Sequence, residues 1–185
     1  MALTFTPQDD LGKILPSFKL KSLDGRWITD QDLPVAKAWL FMFICNHCPY
    51  VKALETRLLT LSRDLKALSV ETIAICSNDP VEYPEDNEAA LREHWTNLRK
   101  PYWQYLHDPD QTAALQFGAV CTPDFFLFNA DRVLVYRGRL DDSWKDETQV
   151  KHRELFEAAR ELVTHGQVNR IQKPSMGCNI KWSSR

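Results

Sequence analysis

Apolar residues fall along this chain in short blocks whose period switches between two and nearly four, the pattern of strands alternating with amphipathic helices. Phe18 and Leu20 precede Asp24-Gly25, and Trp27 and Ile28 follow it, which predicts two short strands around a turn within Ser17–Asp30. Ala38–Ile44 (AWLFMFI) is a continuous apolar run of strand length and predicts a buried central strand. Directly after it Val51, Leu54, Leu58, Leu61, Leu65 and Leu68 recur at spacings of 3, 4, 3, 4 and 3. Such spacing places them on one face of a helix of about 20 residues beginning near Cys48. Pro49 suits its first turn, where a missing N–H costs nothing.

Glu71–Cys76 (ETIAIC) predicts a second buried strand, so strand, helix and strand form a parallel unit with a right-handed crossover. Ser77–Asp86, with Asp79-Pro80 and Tyr83-Pro84, reads as a loop. A helix over Glu85–Arg99, a short segment Tyr105–His107 and a small helix from Asp110 to near Gly118 follow. Phe125–Phe128 and Val133–Tyr136, separated by Asn129-Ala130-Asp131, predict an antiparallel hairpin. The last helix, Thr148–His165, carries Leu155, Phe156, Ala159, Leu162 and Val163 on one face and stops at Gly166. The fold class is therefore α/β: a mixed central sheet with helices on both faces and an N-terminal β-hairpin extension. No repeat or linker interrupts it, so residues 1–185 are expected to form a single domain, with 167–185 as a C-terminal tail.

Composition narrows the function classes. With 44% hydrophobic and 26% charged residues the chain has ample material for one core, which excludes a disordered protein. Lys and Arg number 23 against 25 Asp and Glu with no basic block, so no nucleic-acid footprint is visible. The longest apolar run, Ala38–Cys45, is far below the roughly 18 residues of a membrane span. The opening MALTFTPQDD lacks the basic start and apolar core of a signal peptide, and the expected address is cytoplasmic. Five cysteines in a chain too large to need disulfide staples direct attention to thiol reactivity.

Cys45-Asn46-His47-Cys48 falls between the apolar strand and the amphipathic helix, at a helix N-terminus. Unpaired N–H groups and the positive end of the helix dipole favour a thiolate there, and a protonated His47 would favour it further. The expectation is that Cys45 attacks and Cys48 resolves, because the first cysteine of such a pair is usually the more exposed. Two other readings compete: a pair of packed small hydrophobes, or a soft-metal site built on Cys45, His47 and Cys48. The metal reading lacks a second cysteine or histidine pair at ligand spacing. Cys76 reads as core, while Cys121 and Cys178 are candidate auxiliary thiols, Cys178 in an exposed tail from which it could reach back.

Gly12-x-x-x-Pro16-x-Phe18-x-Leu20, the strand into Cys45-x-x-Cys48, and Cys121-Thr122-Pro123 before the last hairpin resemble the thioredoxin-like superfamily. FICNHCPYVKA, CTPDFFLF, YRGRLDDS and PSMGCNIKW are similar to its redoxin, or alkyl hydroperoxide reductase and thiol-specific antioxidant, branch. Within that branch they resemble the bacterial peroxiredoxin-like "thioredoxin family protein" group, over nearly the whole chain. The resemblance implies a thioredoxin-like fold and thiol–disulfide exchange through Cys45 and Cys48, with thiol-dependent peroxide reduction as the alternative. It further implies a cis Pro123 beside the motif, with the Thr122 backbone free to pair with a substrate. The partners implied are protein or small-molecule thiols and disulfides, or peroxide, and no organic cofactor or metal is called for.

The sequence also departs from its relatives. Aligning Cys48 with the peroxide-attacking cysteine of a Pro-x-x-x-Thr-x-x-Cys pattern puts Phe41 at the proline and Cys45 at the threonine, so the peroxide-orienting hydroxyl is missing. Arg137 or Arg139 could still supply a cation, although each reads more simply as a solvated arginine. Thioredoxins carry a buried acid in the strand before the motif, and Ala38–Ile44 has none. The group that takes the proton from Cys48 is therefore not identified by sequence.

Overall fold

A computed structural model of the chain describes residues 3–7 and 9–184. Its main sheet contains β2 (Lys19–Ser22), β3 (Trp27–Thr29), β4 (Ala38–Phe43), β5 (Val70–Cys76), β6 (Gln104–His107), β8 (Asp124–Asn129) and β9 (Leu134–Arg137). They lie in the order β3-β2-β6-β5-β4-β8-β9. The central strand β4 runs parallel to β5 on one side and antiparallel to β8 on the other. Every residue of β4 is buried, as a continuous apolar run requires of a strand covered on both faces.

Strand alternation divides the core in two. Ala38, Leu40 and Met42 face one side, against α1 (Pro49–Ala67), α2 (Glu88–Asn97) and α4 (Glu154–His165). Trp39, Phe41 and Phe43 face the other, with Phe18, Leu20, Ile28 and α3 (Thr112–Phe117). There Phe117 packs at centroid distances of 5.1 to 5.7 Å against Phe41, Phe43 and Phe126, edge-on or tilted, the geometry aromatic quadrupoles favour. The mixed sheet, the helices on both faces and the hairpin β2–β3 agree with the pattern in the sequence.

Two helices are shorter than their periodicity suggests. Before α2, Pro84–Asp86 forms a 3-10 turn and Asn87 caps the helix by accepting from the Ala90 N–H, so the helix starts three residues late. Thr148 does not open α4. Asp146 accepts from the Thr148 N–H, and Asp142 accepts from the N–H groups of Lys151 and His152, so side chains outside the helix take these donors.

The larger correction concerns 167–185, read from sequence as a tail. It contains β10 (Met176–Asn179), which lies antiparallel between β1 (Leu3–Phe5) and β7 (Cys121–Thr122) in a second, three-stranded sheet. Gly177 permits this pairing, since a Cβ there would stand 2.0 Å from the Thr122 carbonyl oxygen. Strands from the N-terminal and C-terminal parts of the chain are thereby paired, and β10 packs against α1.

Arg137 is neither solvated nor a cation for the sulfurs. It is buried, donates to Asp124 at 2.8 Å and to the Gly118 carbonyl at 2.7 Å, and is ion-paired with Asp10. Arg139 pairs with Glu154. Substituting Arg137→Met leaves Asp124 buried without its counter-charge and Asp10 with Lys13 alone. Breaking such a network costs about 3–5 kcal/mol, and a denaturant midpoint unchanged from wild type would contradict this placement.

Candidate active site

Strand β4 ends at Phe43, Ile44 continues it with an N–H bond to the Ile75 carbonyl, and the chain then turns through Cys45-Asn46-His47 into α1. Cys48 is the N-cap residue of α1 and Pro49 its first helical position, as expected from the missing proline N–H. The four N-terminal N–H groups of a helix have no partner within it. Here one of them, from Val51, is directed at the Cys48 sulfur.

Both cysteines are reduced and nearly inaccessible, Cys45 at 3% exposure and Cys48 at 0%. Their electrostatics are opposite. The Cys45 thiol donates to the Cys48 sulfur, and this hydrogen bond is the largest influence lowering the Cys48 pKa. Burial works against it, while Thr122 and the N–H groups of Val51 and Cys178 add to it. The Cys48 thiol is brought down to about 4. Burial pushes the Cys45 thiol well above its ordinary value, reinforced by the proton it shares with Cys48 and by the charge of Asp86. These influences favour the anion on Cys48 over Cys45. The expected order rested on the first cysteine being the more exposed, and here both sulfurs are covered, Cys45 at 3% and Cys48 at 0%.

Pro123 follows a cis peptide bond, as the resemblance implied. Thr122 Oγ1 lies 3.5 Å from Cys45 Sγ, and the Thr122 carbonyl oxygen lies 3.1 Å from Cys48 Sγ, where it accepts the S–H when Cys48 is protonated. The backbone of Thr122 is not free for a substrate, however. It is paired with β10, and Cys178 is the residue directly opposite it.

His47 is oriented by a group the sequence did not reveal. Its Nδ1 lies 2.5 Å from Asp86 Oδ2 and its ring stacks on Tyr83 at 4.7 Å. Asp86 is fully buried and accepts from Asn46 N–H at 2.7 Å, His47 N–H at 3.2 Å and Asn78 Nδ2 at 2.9 Å. Burial raises its pKa, but the bonds from His47, Asn78 and Asn46 outweigh this and hold it below the usual carboxylate value. Asp86 thus supplies the buried acid that β4 lacks, from a loop 38 positions beyond Cys48. A sulfur, a ring nitrogen and a carboxylate oxygen of Cys45, His47 and Asp86 all lie within 4.8 Å of one another. Both Asp86 oxygens accept from N–H donors, so the cluster is already a hydrogen-bonded site.

The other cysteines separate clearly. Cys76 is packed in the core beneath α1. Cys121 is buried with its thiol 3.5 Å from the Pro123 carbonyl, and burial pushes its pKa up, so it is held as a thiol. Cys178, at 2% exposure, is not an exposed tail thiol, because β10 carries it to the Cys48 sulfur, with which its side chain is hydrogen-bonded. A cavity of about 300 Å³ borders Cys45 between α1 and α2, lined also by Val51, Glu55, Trp95 and Tyr105. A second, of about 290 Å³, borders Pro123 beside Trp144, Ser175 and Met176.

A family model described as redoxin matches residues 10–153, most of the chain. The chain belongs to the redoxin family. Among redoxin relatives, the "Thiol:disulfide interchange protein DsbE" of Yersinia pestis is 29% identical over 143 residues, covering 74% of this chain and 70% of that protein. An uncharacterized conserved protein from Geobacillus kaustophilus has a crystal structure that superposes with a TM-score of 0.92 at 38% identity, covering 100% of this chain and 98% of that one. The thioredoxin domain of a thiol-disulfide oxidoreductase from Bacteroides vulgatus shares the fold, with a TM-score of 0.62 at 14% identity, over 83% of this chain and 97% of that one. The redoxin chain is thus an α/β protein of thioredoxin-like fold.

Proposed function

We propose that this redoxin is a thiol–disulfide oxidoreductase whose Cys45 and Cys48 cycle between dithiol and disulfide, with Cys48 as the nucleophile. The observation that carries the reading is the Cys48 sulfur at the N-cap of α1, facing the Val51 N–H, the Cys178 N–H and the Cys45 thiol. The nucleophile in disulfide exchange is a thiolate, and these donors provide one at neutral pH.

In the reductive direction β10 first moves off β7 to uncover Cys48, which then attacks one sulfur of a substrate disulfide. The substrate S–S bond breaks, and its second sulfur leaves with the electron pair and takes up a proton. Cys45 then gives its proton to the His47–Asp86 pair and attacks Cys48 Sγ, expelling the other substrate sulfur as a thiolate. The substrate ends as a dithiol and the protein as the Cys45–Cys48 disulfide, two electrons having passed between them. Run backwards, a leaving thiolate of low pKa departs readily, so the Cys45–Cys48 disulfide is easily reduced and is suited to oxidise a partner dithiol.

Asp86→Asn keeps the shape of the proton site and removes its charge. The second step should slow by about 10²-fold, the lower end of what positioned acid–base groups contribute, while attack by Cys48 continues. A mixed disulfide on Cys48 should accumulate, visible by mass spectrometry in quenched samples. Equal lifetimes of the mixed disulfide in wild type and Asp86→Asn would remove Asp86 from the mechanism.

Peroxide reduction is the weaker reading on the geometry. Phe41 and Cys45 stand where peroxiredoxin-like proteins place proline and threonine, and Arg137 and Arg139 are committed to Asp124, Asp10 and Glu154. A thiolate still reacts with peroxide without that apparatus, only more slowly.

A further inference from the structure

A third sulfur of this chain, that of Cys178, lies within hydrogen-bond reach of Cys48. Strand β10 lies antiparallel to β7 with Cys178 directly opposite Thr122, so the two side chains share a face. The Thr122 hydroxyl on that face is 3.5 Å from Cys45 Sγ and its carbonyl is 3.1 Å from Cys48 Sγ. Four groups, Cys45, Cys48, Thr122 and Cys178, therefore converge at one point. Both polar groups of Cys178, its backbone N–H and its thiol, are directed at Cys48.

The strand is held there by more than one contact. Gly177 approaches the Thr122 carbonyl so closely that a Cβ would stand 2.0 Å from its oxygen. The Ser175 hydroxyl donates to the Pro123 carbonyl at 3.0 Å, the Ile180 N–H donates to the Val120 carbonyl at 3.1 Å, and β1 closes the far edge. Cys48 is consequently sealed from solvent by the chain's own C-terminal segment.

We propose that Cys178 is the third redox thiol of this site, an internal exchange partner that forms a disulfide with Cys48. The inference rests on the oxidoreductase reading and deepens it. In the step, Cys178 attacks Cys48 Sγ of the Cys45–Cys48 disulfide. The Cys48–Cys178 bond forms as the Cys45–Cys48 bond breaks, and Cys45 leaves with the electron pair and takes up the proton that Cys178 gives up. No electrons are gained or lost. The oxidising equivalent moves onto the C-terminal strand, and Cys45 becomes a free thiol beside the cavity between α1 and α2.

The test uses full-length Cys45→Ser, in which the ordinary pair cannot form, treated with one equivalent of the azo oxidant diamide. Cys48 adds to a diazene nitrogen and Cys178 displaces the hydrazine, which carries off two electrons and two protons. Non-reducing peptide mapping should find the Cys48 peptide joined to the Cys178 peptide, with loss of two alkylatable thiols. The link should be absent from Cys45→Ser/Cys178→Ser. Circular dichroism establishes that each variant is folded, and Cys45→Ala replaces Cys45→Ser if the serine protein is not.

If folded Cys45→Ser gives intermolecular dimers or a lasting diamide adduct on Cys48 in place of that link, the inference is overturned. Wild type treated in parallel keeps the two ideas apart. A Cys45–Cys48 link in wild type without a Cys48–Cys178 link in the variant sinks the Cys178 inference alone. Failure of wild type to form either link sinks the oxidoreductase reading itself.

Discussion

Cys48→Ser should lose disulfide exchange altogether, and with it the chain's reactivity toward alkylating agents below neutral pH, whereas Cys45→Ser should keep a reactive sulfur. The distinction lies in the shape of the pH profile, because burial lowers the absolute rate at any pH. With a Cys48 pKa of about 4, the alkylation rate of wild type should be nearly level between about pH 5 and 8 and fall about tenfold per unit well below 4. An ordinary cysteine, with a pKa of about 8.5, instead gains about tenfold per unit across that whole range. Cys45→Ser should shift the Cys48 profile upward in pH, since it removes the hydrogen bond that lowers the pKa most.

The same charge enters stability. The folded pKa of Cys48 is depressed below its unfolded value, so the reduced protein gains stability that is complete above the unfolded pKa and lost as pH falls through about 4. Denaturant midpoints of reduced wild type should rise between these limits, and those of Cys48→Ser should rise less. Equal slopes in the two proteins would mean that Cys48 is not the anion.

Gly177→Ala should open the site. The obstruction is the Thr122 carbonyl, which is backbone, so no rotamer change can relieve a Cβ 2.0 Å from its oxygen. Overpacking of this kind costs about 1–3 kcal/mol, and the simplest relief is for β10 to move off β7. Cys48 then loses the Cys178 N–H, its pKa rises and both thiols meet solvent. Alkylation of Cys48 and Cys178 at a pH above 8 should therefore accelerate together, with a lowered unfolding midpoint. An alanine variant with wild-type labelling rates and midpoint would contradict the close pairing of β10 with β7.

The sequence made the framework visible where a pattern repeats. Six leucines and valines at helical spacing define α1, and the run from Ala38 defines β4, because burial on a face or on both faces imposes a period on the chain. The motif at their junction was legible for the same reason. What it could not disclose were contacts made by tertiary approach. Asp86 lies in a segment that looks like the start of a helix, and nothing local distinguishes an acid that caps a turn from one buried under Cys45. Strand β10 is four residues long, one of them glycine, and is too short to show alternation, so Cys178 reads as a tail thiol. The order of the two cysteines is hidden from the sequence for a related reason. Exposure is what would distinguish them, and β10, which covers both sulfurs, is the element the pattern hides.

The most direct test of the account is rapid mixing of reduced wild-type protein with a small disulfide and, separately, with hydrogen peroxide, following thiol loss, with Cys45→Ser and Cys48→Ser as companions. Exchange with the disulfide should outpace reaction with peroxide, and a mixed disulfide should be trapped on Cys48 in Cys45→Ser. Fast peroxide consumption that survives in Cys45→Ser and vanishes in Cys48→Ser, with little disulfide exchange, would make the chain a peroxidase and contradict it.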